Sequence, residues 1–238
     1  MSQLIFGKGN AKLGKEILTF SLPAGYTCPA AHLCASYADR STGKISDGKH
    51  TTFRCFAASQ ESTYPAVRKA RWHNFDLLRP INNDFMAMAR LILQSLDKKA
   101  KIVRVHVSGD FFNAAYFRAW CTVAFFRPYT KFYAYTKSVD IVADYTHVIP
   151  SNLVLTLSEG GRHDDLIPHL GIKTAKVVLS EEEAATLSLE VDHDDSHAYD
   201  GEESFALLIH GIQPAGSEAS QAIRALKAKG TKFSYSKK

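Results

Sequence analysis

Six short runs of apolar and β-prone residues recur along the chain, and stretches with helical periodicity separate most of them. The runs lie at residues 16–22, 101–107, 131–136, 152–157, 175–180 and 205–211. None of them alternates cleanly between polar and apolar residues, which is typical of parallel strands buried on both faces. This alternation of strands and helices predicts a mostly parallel sheet joined by right-handed crossovers.

The predicted helices span residues 64–79, 83–99, 113–127, 138–148, 180–189 and 217–230. Asn113 is a predicted N-cap, and Ser180 with Glu183 forms a capping box at the start of another helix. Six strands in this arrangement make either an open doubly wound sheet or a partial barrel. In both architectures the functional groups gather at the carboxyl ends of the strands.

The composition is that of an ordinary globular protein, with 45% apolar and 22% charged residues. The chain has neither a long apolar run nor a signal-peptide pattern, so we expect no membrane span and no export. Four cysteines in 238 residues favour a reducing, cytoplasmic location. The net charge is +5, and basic residues concentrate at 7–15, 67–73 and 226–238. Either a solvated surface or contacts to phosphates explain these stretches.

Three of the four cysteines lie in one loop-like stretch directly after the first predicted strand. Cys28, Cys34 and Cys55 are spaced Cys-x5-Cys-x20-Cys, and their position after the strand predicts that they meet at the mouth of the sheet. Three thiolates suit a [4Fe–4S] cluster with one open iron site, or zinc completed by a histidine of the same stretch. Three reduced structural cysteines are the alternative without a metal. Cys121 lies among apolar residues of a helix and is predicted to pack in the core.

Polar residues follow the carboxyl ends of the other predicted strands. Ser108, Gly109 and Asp110 form a tight turn after the second strand, where Gly109 permits a ligand to approach the backbone. The predicted catalytic groups are Asp110, Lys137 and Glu159. The predicted cofactor-binding residues are Ser108, Gly109, Asp110, Tyr135, Ser158, Glu159 and His210.

An acidic, histidine-bearing segment at residues 192–197 is a second candidate site. His193, Asp194, Asp195 and His197 suit a divalent metal, and a metal-dependent hydrolase or nuclease is one function that such a site supports. A solvated acidic loop is the alternative. The chain has no G-x-S-x-G, P-loop or H-E-x-x-H motif, which weighs against the common hydrolases, NTPases and metalloproteases.

Several stretches together resemble the gene product 88 family of bacteriophages and some bacteria. They are FSLPAGYTCPAAHLC, FRCFAASQES, VHVSGDFF, FYAYTKS and DHDDS with FALLIHGIQPAGS, and they lie within residues 5–235. The strand layout of the family is similar to that of radical S-adenosylmethionine (SAM) enzymes. The resemblance therefore implies a (β/α)6 partial TIM-like barrel, a single α/β domain over residues 1–238, with a cysteine-bearing loop inserted after the first strand.

By that resemblance the three cysteines of the loop ligate an iron–sulfur cluster. The turn Ser108–Gly109–Asp110 takes the place of the Gly-Gly-Glu-like turn that holds the methionine amine, and Ser158 and Glu159 lie where such enzymes contact ribose or carboxylate. Two features depart from the usual pattern. Radical SAM enzymes space their cysteines Cys-x3-Cys-x2-Cys, and Asp110 stands where Glu is usual.

The first functional hypothesis is a radical-SAM-like iron–sulfur protein that acts on a nucleotide or nucleic-acid substrate. Its cluster would cleave SAM, and the deoxyadenosyl radical would abstract hydrogen from the substrate. The second hypothesis is a nucleic-acid-binding module without catalysis, in which the cysteines hold zinc and exposed aromatic residues such as Trp72 make the contacts. The third is a divalent-metal-dependent hydrolase at residues 192–197.

Overall fold

A computed structural model of the protein describes residues 2–9, 13 and 16–231. The strands in these ranges are β1 (Gly7–Lys8), β2 (Ile17–Ser21), β3 (Ser36–Ala38), β4 (Ile45–Asp47), β5 (Ile102–Ser108), β6 (Lys131–Thr136), β7 (Leu153–Ser158), β8 (Thr174–Val178), β9 (Glu190–Val191) and β10 (Phe205–Leu208). The α-helices are α1 (Phe56–Thr63), α2 (Pro65–Leu78), α3 (Phe85–Ser95), α4 (Ala114–Phe126), α5 (Val139–Asp144), α6 (Glu181–Thr186), α7 (Ser196–Tyr199) and α8 (Glu218–Ala228).

Eight strands form one sheet in the order β1-β2-β5-β6-β7-β8-β10-β9. The β1–β2 pair is antiparallel, and the other neighbours are parallel. The six predicted strands are all present, as β2, β5, β6, β7, β8 and β10, so the predicted α/β class and mostly parallel sheet are confirmed. They are adjacent in chain order without the reversal that defines a doubly wound sheet. Within the described residues β1 and β9 remain edges, so the sheet is open.

Alternate residues of the strands point to opposite faces of the sheet and join different apolar clusters. Val103, Phe132 and Leu155 join the large apolar cluster that includes residues of α3, α4 and α5, while Val178 and Leu208 pack with residues of α6 and α8. The opposite set of strand residues, including Tyr133 and Phe205, packs with Ala198 of α7. Both faces of the strands are therefore buried, as their apolar composition indicated. The longer helices cover one face, and the other encloses a smaller core and the site described below.

The predicted insertion after the first strand is present and contains the antiparallel hairpin β3–β4. It returns to the sheet through α1, a helix that the sequence patterns did not predict. The sequence of α1, FAASQEST, has no apolar stripe, and Pro65 opens the next helix directly after it. Local contacts explain α1 poorly, so its position depends on tertiary packing.

The α7 helix was not predicted either, and the remaining α-helices agree with the predictions except at their ends. Asn113 caps α4 by accepting from the backbone N–H of Tyr116 at 2.8 Å, and Ser180 caps α6 by accepting from Glu183 at 3.1 Å. The predicted helix 138–148 divides into α5 and a 3-10 turn at Thr146–Val148. Cys121 is buried in the core, as predicted. Among the described helices, none is long and apolar enough to cross a membrane.

Candidate functional site

A cavity of about 170 Å³ lies at the carboxyl ends of β5, β6 and β7, and Cys28, Cys34 and Cys55 all line it. None of these cysteines forms a disulfide. Other predicted site residues share the same wall, namely Ser108, Gly109, Asp110, Tyr135, Lys137 and Ser158. The fold therefore gathers most of the candidate residues from four separate segments of the chain.

Backbone hydrogen bonds hold the cysteine loop over the strand ends. The N–H of Cys28 donates to the carbonyl of Gly25 at 3.3 Å, closing a tight turn. The N–H of Leu33 donates to Gly160 at 3.0 Å, which ties the segment before Cys34 to the end of β7. Cys55 is the N-cap residue of α1, and its own N–H donates to Ser36 Oγ at 3.2 Å. The backbone at or next to each cysteine is thus held by a different partner.

Burial raises the pKa of all three thiols. It raises the pKa of Cys34 to about 12, although the cation of Lys137 opposes the shift. The pKa of Cys28 is also raised by burial first and then by the nearby Asp110 and Cys55. At Cys55 the effect of burial on the pKa is opposed by the backbone N–H groups of α1. The free thiols are therefore protonated at neutral pH, and a bound metal would deprotonate them.

A single metal ion does not fit the present positions of these donors. Across the described ranges, no group of three or more His, Cys, Asp or Glu side chains lies close enough together to hold one ion. That finding covers both the cysteine cavity and the segment 192–197. The thiols border a space rather than converge on a point, which is the arrangement that a larger group requires.

The turn after β5 packs tightly against neighbouring segments and also forms part of the cavity wall. Gly109 has a φ of +84°, and a Cβ at this position would lie 2.6 Å from Thr27 Oγ1 and 2.7 Å from Leu22 Cβ. Glycine is therefore required where β2 and the cysteine loop press on the turn. This close packing, rather than access for a ligand, explains the residue.

Asp110 ties the ends of β5 and β6 together. Its carboxylate accepts from the Thr136 hydroxyl at 2.6 Å, from the Lys137 N–H at 2.7 Å and from its neighbour Phe111 at 2.7 Å. Burial raises its pKa to about 6, against the lowering effect of these hydrogen bonds. The carboxylate is thus committed to internal contacts, which favours a positioning role over the predicted role as a catalytic group.

Lys137 and Ser158 lie side by side on the cavity wall and are hydrogen-bonded to each other. The Lys137 ammonium donates to Ser158 Oγ at 2.9 Å and to the Ser158 carbonyl at 3.0 Å, and it also contacts the carbonyl of Glu159. The Glu159 side chain points elsewhere, because successive side chains of an extended chain alternate in direction. It accepts from Thr174 at 3.1 Å and lies 3.5 Å from Lys176. The predicted site residue Glu159 therefore lies outside the wall that the other candidates share.

Tyr135 and His210 lie toward a second cavity of about 410 Å³ that adjoins the first. Tyr135 lines both cavities, and the guanidinium of Arg104 lies 5.0 Å from its ring centroid. His210 lines the second cavity only, and its ring centroid lies 3.5 Å from that of Phe56, with the two ring planes tilted by 30°. His210 is therefore a neighbour of the cysteine cavity rather than part of its wall.

Sequence reasoning missed a buried ion pair behind the cavity. Glu61 of α1 and Arg71 of α2 lie 2.9 Å apart, with their side chains 0% and 5% exposed. Glu61 also accepts from the Ala24 N–H at 2.8 Å and from the Ser108 hydroxyl at 3.1 Å. The pair therefore links both helices to the cysteine loop and to the turn after β5. No local sequence motif marks this ion pair, because Ala24 and Ser108, which Glu61 also contacts, are far from it in the sequence.

His106 is a second residue that the sequence did not single out. The register between β2 and β5 shifts around it, since Thr19 pairs with Arg104 but Ser21 pairs with Ser108. His106 has a φ of +72° in this bulge and lines the cysteine cavity. Burial, aided by the charge of Arg104, lowers its pKa to about 3. It therefore presents a neutral imidazole to the cavity.

The acidic segment 192–197 is largely structural. Asp195 lies 2.5 Å from Arg104 and accepts from the Tyr133 hydroxyl at 3.0 Å, so it anchors α7 beneath the cavities. Asp192 is buried as well, 3.6 Å from a ring nitrogen of His197. Together with the absence of a metal-holding group in the described chain, these contacts leave the hydrolase hypothesis without a formed metal site.

The expectation that Trp72 is an exposed aromatic is wrong. Trp72 is 7% exposed, because Tyr26 packs on it at 4.8 Å between ring centroids and Arg40 covers it at 4.6 Å. Of the basic stretches, residues 10–12, 14–15 and 232–238 lie outside the described residues, so the predictions at 7–15 and 226–238 are described only in part.

These observations define an α/β protein with an open, sequentially ordered and mostly parallel sheet, and with a cysteine-lined cavity at the carboxyl ends of its strands. The sequence model of the family described as Gene product 88 matches residues 4–230. The chain therefore belongs to the gene product 88 family, as its motifs indicated.

Two relatives are phage proteins. The Gene 88 protein of Mycobacterium phage L5 is 29% identical over 149 residues, which cover 58% of this chain and 54% of the relative. The Gene 88 protein of Mycobacterium phage D29 is 32% identical over 161 residues, which cover 63% of this chain and 59% of the relative. The chain thus spans less than two thirds of the length of these curated relatives. No solved structure matches it.

Proposed function

We propose that the protein is an iron–sulfur protein in which Cys28, Cys34 and Cys55 hold a [4Fe–4S] cluster. The observation that carries the proposal is the meeting of three reduced cysteines at one cavity, although twenty residues separate the last two in the sequence. A cluster held by three thiolates keeps one iron without a protein ligand. That iron would face the space lined by Lys137 and Ser158.

A cluster suits this cavity better than zinc does. Zinc requires ligand atoms about 2.0 to 2.3 Å from a single point, and the described donors do not converge in that way. Three thiols spread around a cavity can instead contact different iron atoms of one larger body. The raised pKa values of the thiols also match a site whose charge is compensated only when metal is bound.

The proposal includes SAM as the ligand of the open iron and a partial TIM-like barrel as the scaffold. The sequential strand order and the one-sided longer helices support such a barrel. When bound, a reduced cluster of this kind supplies an electron for the cleavage of SAM. Lys137 would bind the carboxylate of SAM by exchanging one of its present contacts to Ser158 or Glu159. The second cavity, which Tyr135 and Arg104 line, would receive a planar substrate such as a nucleotide base.

Anaerobic purification followed by iron and sulfide analysis tests the cluster. We expect about four iron and four sulfide per chain, with the absorption of iron–thiolate bonds. Cys28→Ala, Cys34→Ala and Cys55→Ala should each lose most of the iron. Cys121→Ala is the matched control, because Cys121 is buried in the core away from the cavity, and it should keep the iron. A colourless wild-type protein, or equal iron content in all four variants, contradicts the proposal.

SAM is tested separately on the reconstituted wild-type protein. Under reduction we expect cleavage of SAM, with Lys137→Met binding SAM at least about tenfold more weakly, since a charged hydrogen bond contributes roughly 1.5 to 3 kcal/mol. Full iron content without SAM cleavage would retain the cluster and refute the radical SAM part.

A further inference from the structure

The carboxyl end of α4 and the turn that leads from it to β6 expose three aromatic rings at the end of the sheet opposite the cysteine cavity. Tyr129 is 97% exposed, Phe125 70% and Phe126 57%. Phe125 and Phe126 contact each other at 5.4 Å between centroids, and within the described ranges Tyr129 has no ring partner. The buried side of α4 is filled by other residues, including Phe117 and Trp120. Folding therefore does not account for the exposed rings.

A second turn, at residues 97–101, lies directly beside these rings and is rich in lysine. The guanidinium of Arg127 donates to the carbonyls of Leu96 at 3.3 Å and Lys98 at 3.4 Å. The Thr130 hydroxyl donates to Ala100 at 2.8 Å, and the Lys131 N–H donates to the carbonyl of Lys101 at 2.8 Å. The two turns are thus held side by side. We call Phe125, Phe126, Tyr129, Arg127, Lys98, Lys99 and Lys101 the corner surface.

The charge of the corner surface is strongly positive. Lys98, Lys99 and Lys101 are all exposed. The acidic residue of that turn, Asp97, accepts from the N–H of Lys99 at 2.8 Å and so serves the turn itself. Exposed rings beside several cations are the combination that binds single-stranded nucleic acid, in which bases stack on rings and phosphates meet lysines.

We propose that the corner surface binds single-stranded nucleic acid without strong sequence preference. Phe125, Phe126 and Tyr129 would stack bases, and the lysines with Arg127 would contact the phosphates. An anionic membrane also attracts lysine, but a helix that lies in a membrane surface presents a continuous apolar face that includes Leu as well as aromatic residues. Over residues 96–131, all of which the structure describes, the exposed large apolar side chains are Phe125, Phe126 and Tyr129 alone. The surface is independent of the proposed cluster.

Fluorescence anisotropy of a labelled single-stranded oligothymidine tests the proposal on the full chain. The triple variant Phe125→Ala, Phe126→Ala, Tyr129→Ala should bind at least about tenfold more weakly, because one base stacked on a ring contributes roughly 1 to 3 kcal/mol. Leu187→Ala is the matched control, since it removes an exposed apolar side chain (41% exposed) from another helix end. It should bind like the wild type.

A salt titration separates the rings from the lysines. The variant Lys98→Gln, Lys99→Gln, Lys101→Gln should reduce the slope of log affinity against log salt by about 2, at roughly 0.7 for each phosphate that the protein no longer neutralises. The ring variant should keep the wild-type slope. Wild-type protein that binds no oligonucleotide, or a ring variant that binds as well as the wild type, overturns the proposal. The proposal is also overturned if the ring substitutions weaken only the binding of phosphatidylserine vesicles, or if they convert a dimer of the protein to a monomer.

Discussion

The two ends of the parallel strands are built in opposite ways. At the carboxyl ends the chain buries charged and polar groups and pairs them with one another, as Glu61 and Arg71 do at 2.9 Å behind the cysteine cavity. At the amino end of β6 it exposes the ring of Tyr129 almost completely. A buried polar group must be placed accurately because leaving it unpaired is costly. An exposed ring constrains the fold very little. The carboxyl ends therefore form a site whose buried polar groups hold one another in place, and the amino end of β6 forms a surface that is available for contact.

This comparison predicts that substitutions at the carboxyl ends are structurally severe, while those at the corner surface affect binding alone. The ion pair gives the largest expected effect. Arg71→Ala leaves the Glu61 carboxylate buried without its cation and removes donors to the Ala57 carbonyl and to Gln60. Breaking a buried pair in this way costs about 3 to 5 kcal/mol. Urea unfolding should show that loss.

The control for Arg71 is Lys229→Ala, which removes an ion pair with Glu182 on the exposed surface of α8 and α6. Exposed pairs contribute little, so its unfolding curve should nearly overlay that of the wild type. If Arg71→Ala costs no more than this control, the Glu61–Arg71 pair does not hold the carboxyl end together, and the comparison between the two ends fails.

Substitution of Gly109 has the next largest expected effect on the free energy of unfolding, because this residue has a left-handed backbone and crowded surroundings. Gly109→Ala adds a Cβ 2.6 Å from Thr27 Oγ1 at a φ of +84°. The left-handed conformation costs roughly 1 to 2 kcal/mol, and overpacking adds roughly 1 to 3 kcal/mol. Gly216→Ala is the matched control, since Gly216 has a φ of +80° with nothing within 4 Å. The difference between the two measured unfolding free energies isolates the crowding, and equal losses would show that the turn is not tightly packed.

Because of Asp110, we expect the free energy of unfolding to depend on pH. Its folded pKa of about 6 lies above the ordinary value of 3.8, so the folded state binds the proton more tightly than the unfolded state does. The protonated Asp110 carboxyl therefore contributes to the free energy of unfolding. That contribution is present in full below about pH 3.8 and is lost as the pH rises through 6. Relative to Asp110→Asn, the wild type should lose roughly 2 to 3 kcal/mol between pH 4 and 7, at about 1.4 kcal/mol for each pKa unit. Unfolding of both proteins across that range measures it. A constant difference, or a difference of opposite sign, means that the hydrogen bonds to Asp110 outweigh its burial.

The sheet was predictable because each strand is a local apolar run, and the ends of parallel strands necessarily meet at one edge. That reasoning also brought Cys28, Cys34, Asp110 and Lys137 to one place. It did not show which side chains at the end of β7 face the cavity, because the direction of a side chain after a strand depends on a single residue of register. Ser158 faces the cavity, and its neighbour faces Lys176 instead.

Residues whose roles arise only from tertiary contact were not predictable. Glu61 and Arg71 lie on two adjacent helices, yet Glu61 also binds Ala24 and Ser108, which are far away in sequence. Trp72 was expected on the surface since it lies in a basic stretch, but Tyr26 and Arg40 cover it. Composition describes what a segment contains, and it does not show which distant segment lies on top of it.

The smallest expected effect on stability belongs to the corner surface. Phe125→Ala and Tyr129→Ala should each change the unfolding free energy by no more than about 0.5 kcal/mol, as is usual for exposed positions. Phe117→Ala, on the buried side of the same helix α4, should cost about 3 to 5 kcal/mol because it empties part of the core. Thermal unfolding of the three variants compares them directly. If the ring variants lost as much stability as Phe117→Ala, their rings would be needed for packing, and a loss of oligonucleotide binding in the same variants would no longer identify a contact surface.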